Sequence, residues 1–287
     1  MGEVFASAPF IVGKSEPSPT DILIPAEEAL CPVVSHDWVN ATYKHLVVAA
    51  PPKALAARPG QFFNLLYPSP DAAALWPRRP LSACHVDAGR ARIAFLHKCN
   101  GRNAGGLAAL KRDDLVNIIG PLGVGFRFDP SWRNVVVLGR GAGLAALAPL
   151  AQLAAGHGVS ITAILSARTR DLIIADDLFA RVGTVIPVLD IDRTGDIENV
   201  ERILEHLIAA NRADAFFTSG SNQLMQLMKR LGREHGIPGQ VAMEQVMTCE
   251  HGPCYVCVRN FEVNGRRELR RVCIDGPVFD LQQAVGW

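Results

Sequence analysis

The chain has 287 residues, a formal net charge of +1, and 49% hydrophobic against 20% charged residues. That length suits two domains with real cores, and the dispersed Lys and Arg argue against nucleic acid or an anionic membrane surface as the main partner. No apolar run approaches the ~20 residues that cross a bilayer, and acidic Glu3 with no basic n-region argues against a secretory signal. Isolated Cys31, Cys84 and Cys99 read as free thiols of a reducing compartment, so the expected location is cytoplasmic.

Residues 1–30 carry Pro9, Pro17, Pro19 and Pro25 among Ser, Glu and Thr, which predicts an irregular arm. From Cys31 short β-branched and aromatic runs follow: Pro32 to Ser35, Tyr43 to Ala50, Phe62 to Leu66, Arg92 to His97 and Leu115 to Ile119. Strands at this spacing predict a small antiparallel β barrel over residues 31–130, interrupted by one short helix over Gly106–Lys111. After Asp129-Pro130 the texture changes. Asn134 to Leu138 is apolar without alternation, as in a parallel strand buried on both faces. Further strands are expected over Ser160–Leu165, Val185–Leu189 and Ala213–Thr218, with helices over Leu144–Ala155, Ile197–Asn211 and Gln223–His235. This alternation predicts a doubly wound α/β domain over residues 131–238. Residues 239–287 remain as a small C-terminal module.

That module holds four of the seven cysteines, at Cys249-x4-Cys254-x2-Cys257-x15-Cys273. The first three share the spacing of the plant-type [2Fe–2S] loop. Gly252 and Pro253 let the backbone curl round an inorganic core and aim amides at its sulfurs. A structural zinc site or unligated thiols are the alternatives. Zinc sites usually bring two Cys-x2-Cys pairs, and this stretch has one.

Other candidates carry weaker signals. Arg79-Pro80-Leu81-Ser82, expected in a loop, offers an Arg fork and a hydroxyl for a pyrophosphate and a ring nitrogen. Leu96-His97-Lys98 precedes Asn103-Ala104-Gly105, where uncrowded amides at a helix start could hold an anion; His97 reads equally as a satisfied strand residue. Gly120 to Phe126 is dense turn chemistry that suits a hairpin or an interdomain loop. Gly139, Gly141 and Gly143 lie between a buried strand and a helix, the context of a dinucleotide phosphate, without the third glycine of the standard fingerprint. No acidic residue ends the next strand; Arg168 and Arg170 stand there instead, solvated or facing a 2′-phosphate. Ser219 and Gly220 end a later strand at the same sheet edge. No Ser/His/Asp or paired-carboxylate set suggests hydrolysis, and no residue is assigned as catalytic.

Pro59-Gly60-Gln61-Phe62, Arg79 to Ser82, Gly120 to Phe126, Glu244 with Cys249, Cys254 and Cys257, and Arg271 to Phe279 form an ordered set. It resembles the ferredoxin reductase superfamily, and more closely the iron–sulfur electron-transfer subunits of heteromeric, NAD-dependent dihydroorotate dehydrogenases. The resemblance covers residues ~31–287. It implies FAD on the barrel, held by Arg79 to Ser82, Leu96 to Lys98 and Asn103-Ala104, and a [2Fe–2S] cluster on the four cysteines. It implies electron flow from NAD(P)H to a catalytic flavoenzyme subunit in a heterotetramer or larger assembly. The departures gather at the nicotinamide end. Arg140 stands where glycine is usual, Ala146 where proline is usual, and Ser219-Gly220-Ser221 where Cys-Gly-Pro is usual; Gly101 to Ala104 also lacks a Thr. An oxygenase reductase is a rival, although only about 30 residues follow Cys257, too few for a full ferredoxin module. A regulatory subunit without turnover is another. Tyr255, Val256, Val278 and Phe279 are candidate docking residues round the cluster.

Overall fold

The computed structural model describes residues 26–66, 78–99 and 105–286. The expected ligand residues Asn103 and Ala104 lie outside the described residues, as does most of the expected arm. In chain order the first half comprises β1 (Glu27–Trp38), β2 (Tyr43–Ala49), α1 (Pro52–Leu55), β3 (Phe62–Leu66), β4 (Arg79–Asp87), β5 (Arg92–Lys98), α2 (Gly105–Ala108) and β6 (Leu115–Leu122). Its strands close a barrel in the order β1-β2-β5-β4-β3-β6, every pairing antiparallel. Glu27 to Leu30, expected in the arm, are paired with β6.

Alternate residues fill the barrel: Leu46 and Val48 on β2, Phe63 and Leu65 on β3, Ile93 and Phe95 on β5, Val116 and Ile118 on β6. Such alternation is what a closed sheet demands, since successive side chains point to opposite faces. β5 is buried on both faces because Ala94 and Leu96, on its outer side, pack with the helices of the second half. Arg79 to Ser82 form a strand, not the expected loop. Ser82 pairs with Phe62 and Pro80 with Asn64.

The second half contains β7 (Asn134–Arg140), α3 (Gly143–Leu147), α4 (Leu150–His157), β8 (Ser160–Ala167), α5 (Asp176–Ala180), β9 (Gly183–Leu189), α6 (Ile197–Ala209), β10 (Ala215–Ser219), α7 (Asn222–His235), β11 (Gly239–Ala242), β12 (Val258–Val263), β13 (Arg266–Arg271) and β14 (Val278–Asp280). The sheet order is β14-β11-β10-β7-β8-β9, parallel except for β14. Val135 to Leu138 are fully buried at its centre.

Two expectations change. The single helix over Leu144–Ala155 is split at Ala148-Pro149, because proline has no N–H to continue the ladder and its ring clashes with the preceding turn. The sheet also runs through the expected boundary at residue 238. β11 extends it and β14 returns from the far side of the cysteine loop, so the loop hangs between two neighbouring strands. Val278 and Phe279 lie in β14, 6% and 4% exposed, and face the core instead of a docking surface.

The Gly120–Phe126 segment joins the parts. The Val124 amide donates to Gly276 O at 2.6 Å, and the Phe126 amide to Pro59 O at 2.7 Å. No described helix is long and apolar enough to cross a membrane.

Candidate functional site

A cavity of about 370 Å³ opens between the barrel and the α/β half. Its barrel wall is Phe62, Arg79 to Ser82 and Leu96 to Lys98; Leu107 of α2, Ala142, Ala145 and Ala146 by α3, and Met243 to Gln245 with Met247 complete it. The structure therefore brings together the two strand segments singled out above. β4 and β5 are adjacent, with Ala83 opposite Phe95 and a bulge between Ala83 and His85. Arg79 and Lys98 have no protein partner among the described residues, so two uncompensated cations reach this cavity. A phosphate-bearing aromatic ligand fits that chemistry, with charge for its anionic part and an apolar wall for its ring. Glu244 also faces the cavity, and its carboxyl lies above the usual range because the surrounding protein desolvates it.

His97 is buried, and both its ring nitrogens are engaged by protein. Nε2 lies 2.8 Å from His36 Nε2, and Nδ1 lies 3.6 Å from Cys99 Sγ. With both nitrogens engaged, the ring has none left over for a ligand in the cavity it helps to line. His36 gave no signal in sequence, because a lone polar residue on an edge of alternation reads as solvated.

At the carboxyl edge of the sheet the glycines pack. A Cβ on Gly143 would lie 2.6 Å from the Gly220 amide nitrogen, and one on Gly139 would lie 2.5 Å from Leu147 Cδ1. Gly143 lets the turns after β7 and β10 touch, while Gly139 makes room for Leu144 and Leu147 of α3. Gly141, at φ +57°, makes the turn itself. Ser219 is buried, and its hydroxyl donates to Ala242 O at 2.9 Å. Ser221 caps α7, accepting from the Leu224 amide. Arg140 reaches along the edge to Asp190 in a bidentate pair of 2.6 and 2.9 Å, and also donates to Ser166 Oγ at 2.8 Å. That pair holds the Asp190 carboxyl below the usual range. A smaller pocket of about 200 Å³ lies beside it, lined by Tyr43, Lys98, Arg140, Gly141 and Arg168 among others. Asp190 was missed because it follows β9, two strands away from Arg140.

The cysteine loop begins two residues after the cavity segment ends. The Sγ atoms of Cys257 and Cys273 are 3.2 Å apart and buried, and the Cys273 amide donates to Cys257 Sγ at 3.5 Å. At Cys249 desolvation opposes the thiolate, yet hydrogen bonds from the Cys254 thiol and the amides of Cys254, His251 and Gly252 outweigh it, lowering the pKa to about 6. Cys254 is exposed. The thiols thus stand as two pairs, and among the described residues no three His, Cys, Asp or Glu side chains converge on one point. The donor set is all sulfur with amides aimed at it, and Gly252 at φ +107° is a position where a Cβ would lie 2.7 Å from Ile274 Cδ1. These features suit a cluster held by four thiolates better than a hard cation. Glu250, 2% exposed, has no partner for either oxygen; burial, then the Cys249 charge, raises it to about 7 against the pull of Arg78. Arg78 precedes Arg79, so the cysteine loop approaches the cavity strand from this side as well.

A closed six-stranded barrel followed by a six-stranded α/β sheet, with a four-cysteine insertion before the last strand, is the fold of ferredoxin reductase-type oxidoreductases carrying an additional iron–sulfur binding domain. Residues 244–285 match the family model for the iron–sulfur cluster binding domain of dihydroorotate dehydrogenase B. Over 231 residues the chain is 28% identical to the dihydroorotate dehydrogenase B (NAD(+)) electron transfer subunit of Bacillus cereus (strain Q1), covering 79% of this chain and 86% of that one. The corresponding subunit of Bacillus mycoides (strain KBAB4) matches at 28% over 232 residues, with the same coverage. Among solved structures, a chain of an NADH-dependent reduced ferredoxin–NADP oxidoreductase superposes with a TM-score of 0.75 at 25% identity, covering 89% of each chain. A ferredoxin NADP+ reductase from Neisseria gonorrhoeae shares the fold at a TM-score of 0.58 and 15% identity, covering 76% of this chain and 98% of that one. These matches bear out the resemblance seen in the motifs.

Proposed function

We propose that this chain is the electron-transfer subunit of a heteromeric flavoenzyme, passing electrons from NAD(P)H through FAD and a [2Fe–2S] cluster to a catalytic partner. The observation that carries this is continuity: Met243 to Gln245 and Met247 line the cavity, and Cys249 opens the cysteine loop two residues after Met247. When bound, FAD exchanges a hydride with NAD(P)H and the cluster passes electrons singly.

The chain's own work is placement. Arg79 and Lys98 neutralise the anionic part of the flavin, Ser82 and the backbone of Leu96 to Lys98 orient it, and Ala145 and Ala146 leave room above β4 and β5. Gly139, Gly143 and Gly220 allow the sheet edge to close on the cavity, and Gly141 and Arg168 meet the nicotinamide nucleotide there. Cys249, Cys254, Cys257 and Cys273 hold the cluster, with loop amides stabilising thiolate charge. Val246, Tyr255, Val256 and Ile274 are 71%, 50%, 48% and 40% exposed around it, an apolar ring suited to sealing against the partner. The partner is a dihydroorotate dehydrogenase-like or related flavoenzyme, in a heterotetramer or larger assembly. The division at residues 31–130, 131–238 and 239–287 is functional, with the last two sharing one sheet. Cys31, Cys84 and Cys99, outside the cluster loop, are free thiols, which favours the reducing cytoplasm.

One observation favours a second reading, a subunit that keeps the fold without oxidising NAD(P)H: Arg140 and Ser219 are committed to Asp190 and Ala242. Purification followed by iron analysis and a visible spectrum tests the first reading; a colourless protein with zinc and no iron ends it. Stopped-flow mixing with NADH and NADPH separates the two, because flavin bleaching by either belongs to the first alone.

A further inference from the structure

At the mouth of the barrel a hydrogen-bonded line joins two walls of the cavity. His36 on β1 has Nδ1 3.0 Å from Leu110 O and Nε2 2.8 Å from His97 Nε2, and His97 Nδ1 faces Cys99 Sγ at 3.6 Å. A carbonyl oxygen only accepts, so His36 carries its proton on Nδ1. In the neutral ring its Nε2 must then accept, and His97 must donate from Nε2. His97 Nδ1 is left to accept from the Cys99 thiol. The line has one sense: Cys99 to His97 to His36 to Leu110.

It is also neutral. Burial foremost, then His36, lowers His97 to about 4 against the favourable Lys98 carbonyl, with Lys44 on β2 and Arg79 on β4 adding to the fall. Burial likewise lowers His36, opposed by the Leu110 carbonyl and Asp37 and aided by Lys44 and His45. Lys44 cannot move aside, because its Nζ donates to Ala108 O at 2.9 Å and sits 5.2 Å from the Trp38 ring. Ala108 and Leu110 end the α2 turn, whose Leu107 lines the cavity; Leu96 to Lys98 line it from β5.

We infer that His36 and His97 are positioning residues, a directed and uncharged brace that fixes the α2 turn against the end of β5 and so sets the width of the flavin cavity. This rests on the cavity holding FAD. Neither imidazole is offered to the flavin; each acts through the backbone it holds.

The test has two arms on the full-length chain. Nitrogen-15 histidine NMR is expected to show, at pH 8, His36 as the Nδ1–H form and His97 as the Nε2–H form, with His97 still uncharged at pH 5. A proton on His97 Nδ1, or titration of His97 in the ordinary histidine range, overturns the brace without reference to flavin. In the second arm, apoprotein is titrated with FAD. His97→Leu should bind about tenfold more weakly, as for loss of one well-placed hydrogen bond with a partner left unpaired. His97→Gln, which returns an N–H near the Nε2 position, should recover most of it and the wild-type flavin spectrum. If His97→Leu does not fold, His36→Gln, which keeps an acceptor for His97 but loses the Leu110 bond, should bind FAD weakly at an unchanged melting temperature. Wild-type affinity in the variant that folds sinks the brace alone; wild-type protein that takes up no FAD sinks the functional reading beneath it.

Discussion

The two ends of the proposed electron path are built on opposite plans. At the cysteine end the loop is open: Cys254, Tyr255 and Val256 are exposed, and the amides of His251, Gly252 and Cys254 all point at one sulfur, that of Cys249. At the sheet edge everything is already matched. Glycines touch backbone, Ser219 bonds Ala242, and Arg140 is locked by Asp190 and Ser166. A site whose donors converge on one group is readable as a site; one whose donors satisfy each other is readable only as structure. The cysteine loop is therefore the stronger half of the function, and experiments that disturb each end should differ in kind.

The largest effect is expected at the cysteine loop. Cys257→Ser should abolish the iron–sulfur absorbance and EPR signal and lower bound iron to background, since a buried thiolate is replaced by a hydroxyl that ligates such clusters poorly. Retention of a full complement of iron would show that Cys257 is not a ligand. Arg79→Ala comes next. Removing a charge-assisted contact of about 1.5–3 kcal/mol should weaken FAD binding roughly 10–100-fold, read by fluorescence titration. An unchanged affinity would move the flavin off the β4 wall.

These expectations show how much the sequence carried. The barrel was legible because interior residues such as Leu46, Val48, Phe63 and Leu65 alternate, and the parallel sheet because Val135 to Leu138 do not. The cysteines were legible because their spacing along the chain follows the plant-type cluster pattern. Arg79 to Ser82 were legible as a segment of the cavity wall yet misplaced in a loop, since prolines disfavour strands except where a ladder bond is dispensable. β11 and β14 were lost because four and three residues are too short for a period, and their pairing crosses the whole cysteine loop. Asp190 and His36 matter through partners 50 and 61 residues away, at Arg140 and His97, and no local pattern announces such pairs.

At the sheet edge a packing defect is expected instead of lost ligation. Gly143→Ala places a methyl 2.6 Å from the Gly220 amide nitrogen and the Ser219 carbonyl carbon, both backbone atoms that cannot rotate away. Overpacking of this kind costs about 1–3 kcal/mol, a fall in Tm of several degrees by calorimetry. Iron content should stay at the wild-type level. Loss of iron together with stability would mean that the two ends are one cooperative unit, and the contrast between them would fail.

The smallest effect tests whether the sheet edge is truly closed to ligand. Asp190 has a carboxyl held below its ordinary value by the hydrogen bond from Arg140, and its side chain is 45% exposed. A depressed folded pKa contributes stability that is present above the unfolded value, about 3.9, and is lost as pH falls through the folded one. Screening at such a surface pair limits this to about 0.2–1 kcal/mol. Asp190→Asn should therefore be slightly less stable than wild type at pH 7, with the difference shrinking once pH falls below about 3.9 in urea titrations. The same substitution leaves Arg140 uncompensated beside Arg168 and Lys98 in the smaller pocket. If a nicotinamide nucleotide enters there, KM should fall roughly twofold at low ionic strength, and the gain should vanish as salt screens the added charge. A KM that ignores both the substitution and the salt would place the nucleotide's anionic groups elsewhere. Arg140 would then be a strut that fixes the ends of β7, β8 and β9, with no part in the reaction.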